Sequence, residues 1–294
     1  MIILNKKLLK IIILLLPITI ISFFKKETNF YVEEPDIEVN VIHNDEELNI
    51  DLESYVLGVV AAEMPASFEL EALKAQAIAS RTYVINHLNN HTTITSTIND
   101  QAYIGEEEMR KKWQDEYDKY YEKIKIAVDE TEGLVIKYDN EPIKAYYYSM
   151  SNGYTESSFN VFNEQNDYLN VVESNWDADN EKEIEISKEE FCNKLTITCE
   201  EIKIDNITKD DSNRVATIDI NSKRFTGIEV RQLLSLRSTD FTITVEDQVV
   251  KILTKGYGHG VGMSQYGANN MAIEGYSCEE ILKYYYQNTE ISNI

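Results

Sequence analysis

Between Leu8 and Phe24 the chain reads LLKIIILLLPITIISFF, seventeen residues whose only charge is Lys10. As a helix rising about 1.5 Å per residue, such a run spans about 26 Å. That is enough to cross a hydrocarbon core of roughly 30 Å when flanking lysines snorkel to the interfaces. The chain is thereby divided into an apolar start, residues 1–26, and a body that must fold without it. Lys25, Lys26 and Glu27 follow with no small-x-small cleavage site, so the run is expected to remain an anchor rather than leave as a signal peptide. Lys6, Lys7 and Lys10 precede it, which predicts an N-terminus inside the cell and a body outside.

Residues 27–35 are polar and acidic and read as a linker, leaving residues 36–294 as one extracytoplasmic domain. The chain carries 28 basic against 51 acidic residues, a net −23, and no acid precedes Glu27. An acidic body of this kind repels phosphate backbones, which excludes nucleic acid as a partner. With 43% hydrophobic and 27% charged residues the balance is that of a globular protein, not a disordered one. The three cysteines, Cys192, Cys199 and Cys278, form no CxxC pair, so a zinc knuckle or a thioredoxin-type site has no support. Cys192 and Cys199 are close enough for a local bridge, or stay as buried thiols.

The stretch DIEVNVIH (36–43) alternates as a strand does, and Leu48, Ile50 and Leu52 repeat the pattern. Helical spacing then runs over 51–62 and, after Pro65, over 69–87; a third helix is predicted over 109–128. Strands are expected at 134–138, 143–148, 214–220 and 241–253. Short helices are expected at 187–195, 227–236 and 279–286. This order predicts an α+β fold: one large mixed domain with helices flanking twisted strands, an inserted lobe near residues 160–250, and the N-terminal transmembrane helix.

Three segments carry residues suited to chemistry. In the first, YVLGVVAAEMPASFELEALKAQAIASRTY, Glu63 ends an apolar helix. A carboxyl that loses hydration there has its pKa raised, as a general acid near neutral pH requires, whereas a merely solvated helix end would not. Lys74 and Arg81 lie two turns apart on the next helix and share a face that could receive an anionic group, with Gln76 beside them; exposed helix charges are the plainer reading. In the second, SMSNG, Ser149 and Ser151 alternate, either to hold a polar substrate or to make a turn. The third, GYGHGVGMSQYGA, lets the backbone approach a ligand or another chain closely. It lacks the spacing of a dinucleotide or phosphate loop, and it groups His259, Gln265 and Tyr266.

These three segments, AAEMP with EALKAQAIASRTY, then YYSMSNGYTE, then GYGHGVGMSQYGA, closely resemble the stage II sporulation protein D family over roughly residues 36–294. The resemblance implies a peptidoglycan lytic transglycosylase acting in forespore engulfment, partnered with the amidase stage II sporulation protein P and the membrane protein stage II sporulation protein M. It puts the catalytic acid on Glu63 and substrate-binding roles on Lys74, Gln76, Arg81, Ser149, Ser151, His259, Gln265 and Tyr266. Some relatives carry a Cys/His/Cys cluster that resembles a zinc site. The matching positions here are Thr95, Asn99 and Asp100, so no metal and no cofactor is expected. His87 and His91 have helical ligand spacing, but two ligands do not close a structural site.

A hydrolase splits a glycosidic bond with two carboxylates. A lytic transglycosylase needs one, because the 6-hydroxyl of the same muramic residue replaces water, and proximity does the rest. The rival expectations are a non-catalytic glycan-binding activator of an amidase and a tether between membrane and wall.

Overall fold

The computed structural model describes residues 37–97, 100–177 and 179–294. The expected anchor and linker lie outside the described residues. Among the described residues no helix is long and apolar enough to cross a membrane. The architecture is mixed, with helices and several small sheets.

The first strands, Glu38–His43 and Glu46–Asp51, pair antiparallel around Asn44 and Asp45, both at positive φ as a tight hairpin requires. The alternation in sequence becomes alternation in burial: Val39 and Val41 are enclosed while Ile42 faces out. Asp51 then caps helix α1 (Leu52–Glu63) by accepting the Ser54 amide at 3.0 Å. Pro65 ends that helix and biases Met64 to an extended backbone. Helix α2 (Leu70–Leu88) follows.

The helix expected over 109–128 is two, α3 (Glu106–Trp113) and α4 (Tyr117–Asp129). A 3₁₀ turn with Gln114 at φ 46° separates them, a break that apolar periodicity does not announce. Leu134–Tyr138 forms the expected strand, but only Tyr147–Tyr148 of the 143–148 run pairs as one. The short α5 (Ser158–Phe162) closes this part.

Residues between Glu181 and Lys255 assemble a second core around Phe191, Ile218, Phe225 and Ile252. It is covered by α6 (Lys188–Leu195) and α7 (Gly227–Leu234), the latter opened by a Thr226–Glu229 capping box. The strand expected over 241–253 is a hairpin, Asp240–Val245 with Val249–Lys255, which reverses without Gly or Pro. Glu181–Ser187 adds a third strand whose charged alternate residues hid it from the sequence reading. Cys192 and Cys199 are disulfide-bonded here, and Cys278 is free.

The chain returns through α8 (Gln265–Ile273) and α9 (Cys278–Tyr285) to a last strand, Glu290–Asn293, paired with Leu134–Tyr138. Helix α2 is the axis of the main core. It packs against α1, α4, α8, α9 and the Leu134–Tyr138 strand, so its buried residues run nearly all round instead of along one face. Alanines at 72, 75, 77 and 79 permit that crowding.

Candidate active site

Glu63 is the last residue of α1, half-buried where the helix meets the loop at 100–104. Its Oε1 accepts the Ala102 amide at 2.8 Å, and the polar ends of Gln265 and Tyr147 lie near the same carboxylate and favour its charged form. Desolvation outweighs these contacts and the nearby charge of Lys112, so the carboxyl is pushed above its ordinary 4.5. The Lys112 ammonium itself donates to the carbonyls of Ala61 at 2.7 Å and Ala62 at 3.3 Å, capping the helix end that presents Glu63.

A chain of amides and hydroxyls surrounds this carboxyl. Gln265 Nε2 donates to Gln76 Oε1 at 3.3 Å, and Gln76 Nε2 to Ser80 Oγ at 3.0 Å. Gln101 donates to Tyr147 Oη at 3.1 Å and accepts from Tyr55 Oη at 3.2 Å. Burial and the charge of Glu63 hold the Tyr147 phenol far above its usual range, so it stays a donor. Sequence reasoning missed Tyr55, Tyr147 and Lys112, and used Gln101 only for alignment. Tyr147 was one of three consecutive tyrosines, and Lys112 one of many helix charges.

The glycine-rich loop makes a close approach to its own chain. At Gly262, with φ 78°, a Cβ would stand 1.9 Å from the Tyr146 carbonyl oxygen. Met263 and Ser264 can therefore pair in parallel with Tyr147 and Tyr148. Ser264 caps α8 by accepting the Gly267 amide, which leaves Gln265 and Tyr147 side by side at Glu63. His259 lines a cleft of about 120 Å³ with Tyr83, Asp100, Gln101, Tyr147 and Phe162. Desolvation, with Arg231 and Arg214 adding like charge, pushes its imidazole down to about 3, so it works as a neutral group. Its Nδ1 accepts the Val261 amide at 3.0 Å. The Tyr266 amide donates to the Ser149 carbonyl at 3.1 Å, and its ring meets Phe68 edge-on at 4.9 Å.

Other expected residues are engaged elsewhere. Lys74 lies between Glu71 at 2.8 Å and Glu130 at 2.6 Å. Arg81 is fully buried: it pairs with Glu53 through Nε at 2.7 Å and NH2 at 2.5 Å, and NH1 donates to the Leu134 carbonyl at 3.1 Å. Both charges of the expected cationic face are therefore already paired, Lys74 with Glu71 of its own helix and with Glu130, and Arg81 with Glu53 on α1. Ser151 is likewise enclosed. Its hydroxyl accepts the Gly153 amide at 2.9 Å and donates to the Tyr154 carbonyl at 3.3 Å, which is the turn-forming alternative.

Thr95 donates through its amide and hydroxyl to Asp100 Oδ2, at 2.9 and 2.6 Å, while Asn99 lies outside the described residues. The His87 and His91 rings stack at 4.4 Å, and His87 Nε2 stands 2.9 Å from the Thr93 carbonyl oxygen. Among the described residues no group of three or more His, Cys, Asp or Glu is placed to hold a metal ion.

A family model described as Stage II sporulation protein matches residues 45–138. Stage II sporulation protein D of Bacillus subtilis (strain 168) is 40% identical over 257 residues, which cover 83% of this chain and 75% of that protein. The same protein of Bacillus amyloliquefaciens matches with the same identity and coverage. The amidase enhancer of Bacillus subtilis is 31% identical over 295 residues, covering 80% of this chain and 40% of the enhancer. The chain belongs to the stage II sporulation protein D family.

Proposed function

We propose that this chain is a peptidoglycan lytic transglycosylase with Glu63 as its single acid and base. The observation that carries the reading is the desolvated Glu63 carboxyl, raised in pKa and held by Ala102, with Tyr147 and Gln265 near it, beside the cleft. In the first step the protonated carboxyl gives its proton to the glycosidic oxygen between N-acetylmuramic acid and N-acetylglucosamine as that bond breaks. In the second, the carboxylate takes the proton of the muramic 6-hydroxyl as its oxygen closes on the anomeric carbon. The product carries a 1,6-anhydro end and Glu63 is again protonated. Such acid–base catalysis contributes about 10²–10⁴-fold. The neutral His259 and the Gln101 amide, both in the cleft lining, suit acetamido and hydroxyl groups of a glycan.

The proposed setting is the outer face of the membrane, anchored by residues 8–24, during forespore engulfment. The partners would be the sporulation amidase and membrane protein that the family resemblance implies. The Cys192–Cys199 bridge fits an oxidising compartment of that kind. A relative named amidase enhancer favours a second reading, a non-catalytic glycan-binding activator of an amidase.

The test is mass spectrometry of products from peptide-free glycan strands treated with the chain and with Glu63→Gln. Anhydro-muramic ends from the wild type, reduced at least about 10²-fold in the variant, support the proposal. Reducing ends would make it a hydrolase, and Asp100, the carboxylate in the cleft, would be the second acid to replace. No cleavage with strands still bound would favour the activator.

A further inference from the structure

At the far end of α8 from Gln265, about 12 Å along the axis, lies a second recess of about 440 Å³. It is lined by Glu173, Asn175, Trp176, Glu274 and Tyr284. The Trp176 ring meets Tyr284 at 5.0 Å and 87°, and Tyr276 at 6.2 Å and 78°. The three rings thus form an upright corner rather than a flat platform. The corner is held in place: the Asn270 amide donates to the Trp176 carbonyl at 2.7 Å, the indole N–H to Glu274 Oε2 at 3.0 Å, and the Tyr284 hydroxyl to the Glu173 carbonyl at 2.8 Å. Beside it Ile273 is 64% and Tyr276 37% exposed.

Glu173 and Glu274 form no ion pair among the described residues, whereas Lys283 on α9 is already paired with Glu279. Two uncompensated carboxylates beside aromatic faces attract a cation twice, through charge and through the ring quadrupoles. Trp and Tyr next to exposed apolar side chains are also the composition of an interface centre.

We propose that this corner docks an Arg or Lys side chain from a basic, apolar-flanked segment of a partner protein. The site is separate from the Glu63 carboxyl, and the inference does not depend on the reaction proposed there.

The chain has two tryptophans, and Trp113 is enclosed in the core. Trp113→Phe in the full chain therefore leaves Trp176 as the reporter. The probe is an acetylated hexapeptide of alternating Arg and Leu, set against its Glu–Leu counterpart and chitohexaose. Saturable change in Trp176 emission with the Arg peptide alone is expected, weakening with salt and at least fivefold weaker in Glu274→Gln. Calorimetry on the chain that keeps Trp113 makes the same comparison with Trp176→Ala, independent of any effect of Trp113→Phe on packing. Equal weakening by Glu107→Gln, an exposed acid on α3, would reduce the binding to general attraction by an acidic body and overturn the proposal. A response to chitohexaose with the peptide silent would overturn it too.

Discussion

A Cβ placed on Gly58 would stand 2.2 Å from Tyr103 Cε2, so Tyr103 occupies the space a side chain would take in the middle of α1. Tyr103 stacks on Tyr55 at 5.7 Å, and the Ile104 amide donates to the Gly58 carbonyl at 3.3 Å. The 100–104 loop is thereby pressed onto the helix, which brings the Ala102 amide to Glu63 and Gln101 to Tyr147.

Gly58→Ala should lift this loop. Overpacking costs about 1–3 kcal/mol, and roughly 1 kcal/mol returns through the better helix propensity of alanine. Stability should therefore fall by up to about 2 kcal/mol, while glycan cleavage falls at least about tenfold as the Ala102 donor leaves Glu63. Thermal melting and strand cleavage measured together check this; unchanged cleavage would show that the loop does not position the acid.

Lys112 opposes the desolvation of Glu63, and its own pKa is lowered by burial. Removing its charge in Lys112→Met should raise the Glu63 pKa further. The general acid must be protonated, so the alkaline limb of the kcat/KM profile moves to higher pH in the variant, while Lys112→Arg restores the wild-type limb. Losing the cap on Ala61 and Ala62 should also cost about 0.5–1 kcal/mol of stability. A pH profile that does not move would leave Lys112 with the capping role alone.

What could be read from sequence tracks where one local rule governs. Pro65 and the apolar spacing marked α1 and the start of α2 because proline and side-chain periodicity act within a few residues. Glu63 stood out for the same reason, as a carboxyl at the end of an apolar helix. Arg81 stood out as well, but its partner could not be read, because Glu53 is 28 residues away and reaches it only in the folded chain. Tyr147 and Gln101 were hidden likewise, since their partners are 46 residues apart in sequence. The 246–248 reversal was missed because its turn, Glu, Asp and Gln, has neither Gly nor Pro and only Asp247 as a turn signal.

Asp177 ties the Ser151 turn to the start of α8. Its Oδ2 accepts the Ser151 amide and the Ser264 hydroxyl, each at 2.8 Å, while its buried Oδ1 has no partner. Burial pushes the carboxyl from 3.8 up to about 6. The folded state then holds the proton more tightly than the unfolded chain, so this group's stabilising contribution is complete below about 4 and is lost as pH rises through about 6. His259, pushed down from 6.5 to about 3, acts in the opposite sense, and its contribution is lost as pH falls below about 6.5. Asp177→Asn keeps an acceptor for Ser151 and Ser264 and removes only the first effect. Its stability relative to the wild type should therefore improve between pH 4 and pH 7, by up to about 3 kcal/mol for a shift of about two pKa units. Thermal melts of both proteins at four pH values across that range check the sign. Parallel curves would mean that the Asp177 carboxyl is ionised at no cost, with a hydrogen-bond donor on Oδ1 as the first thing to look for.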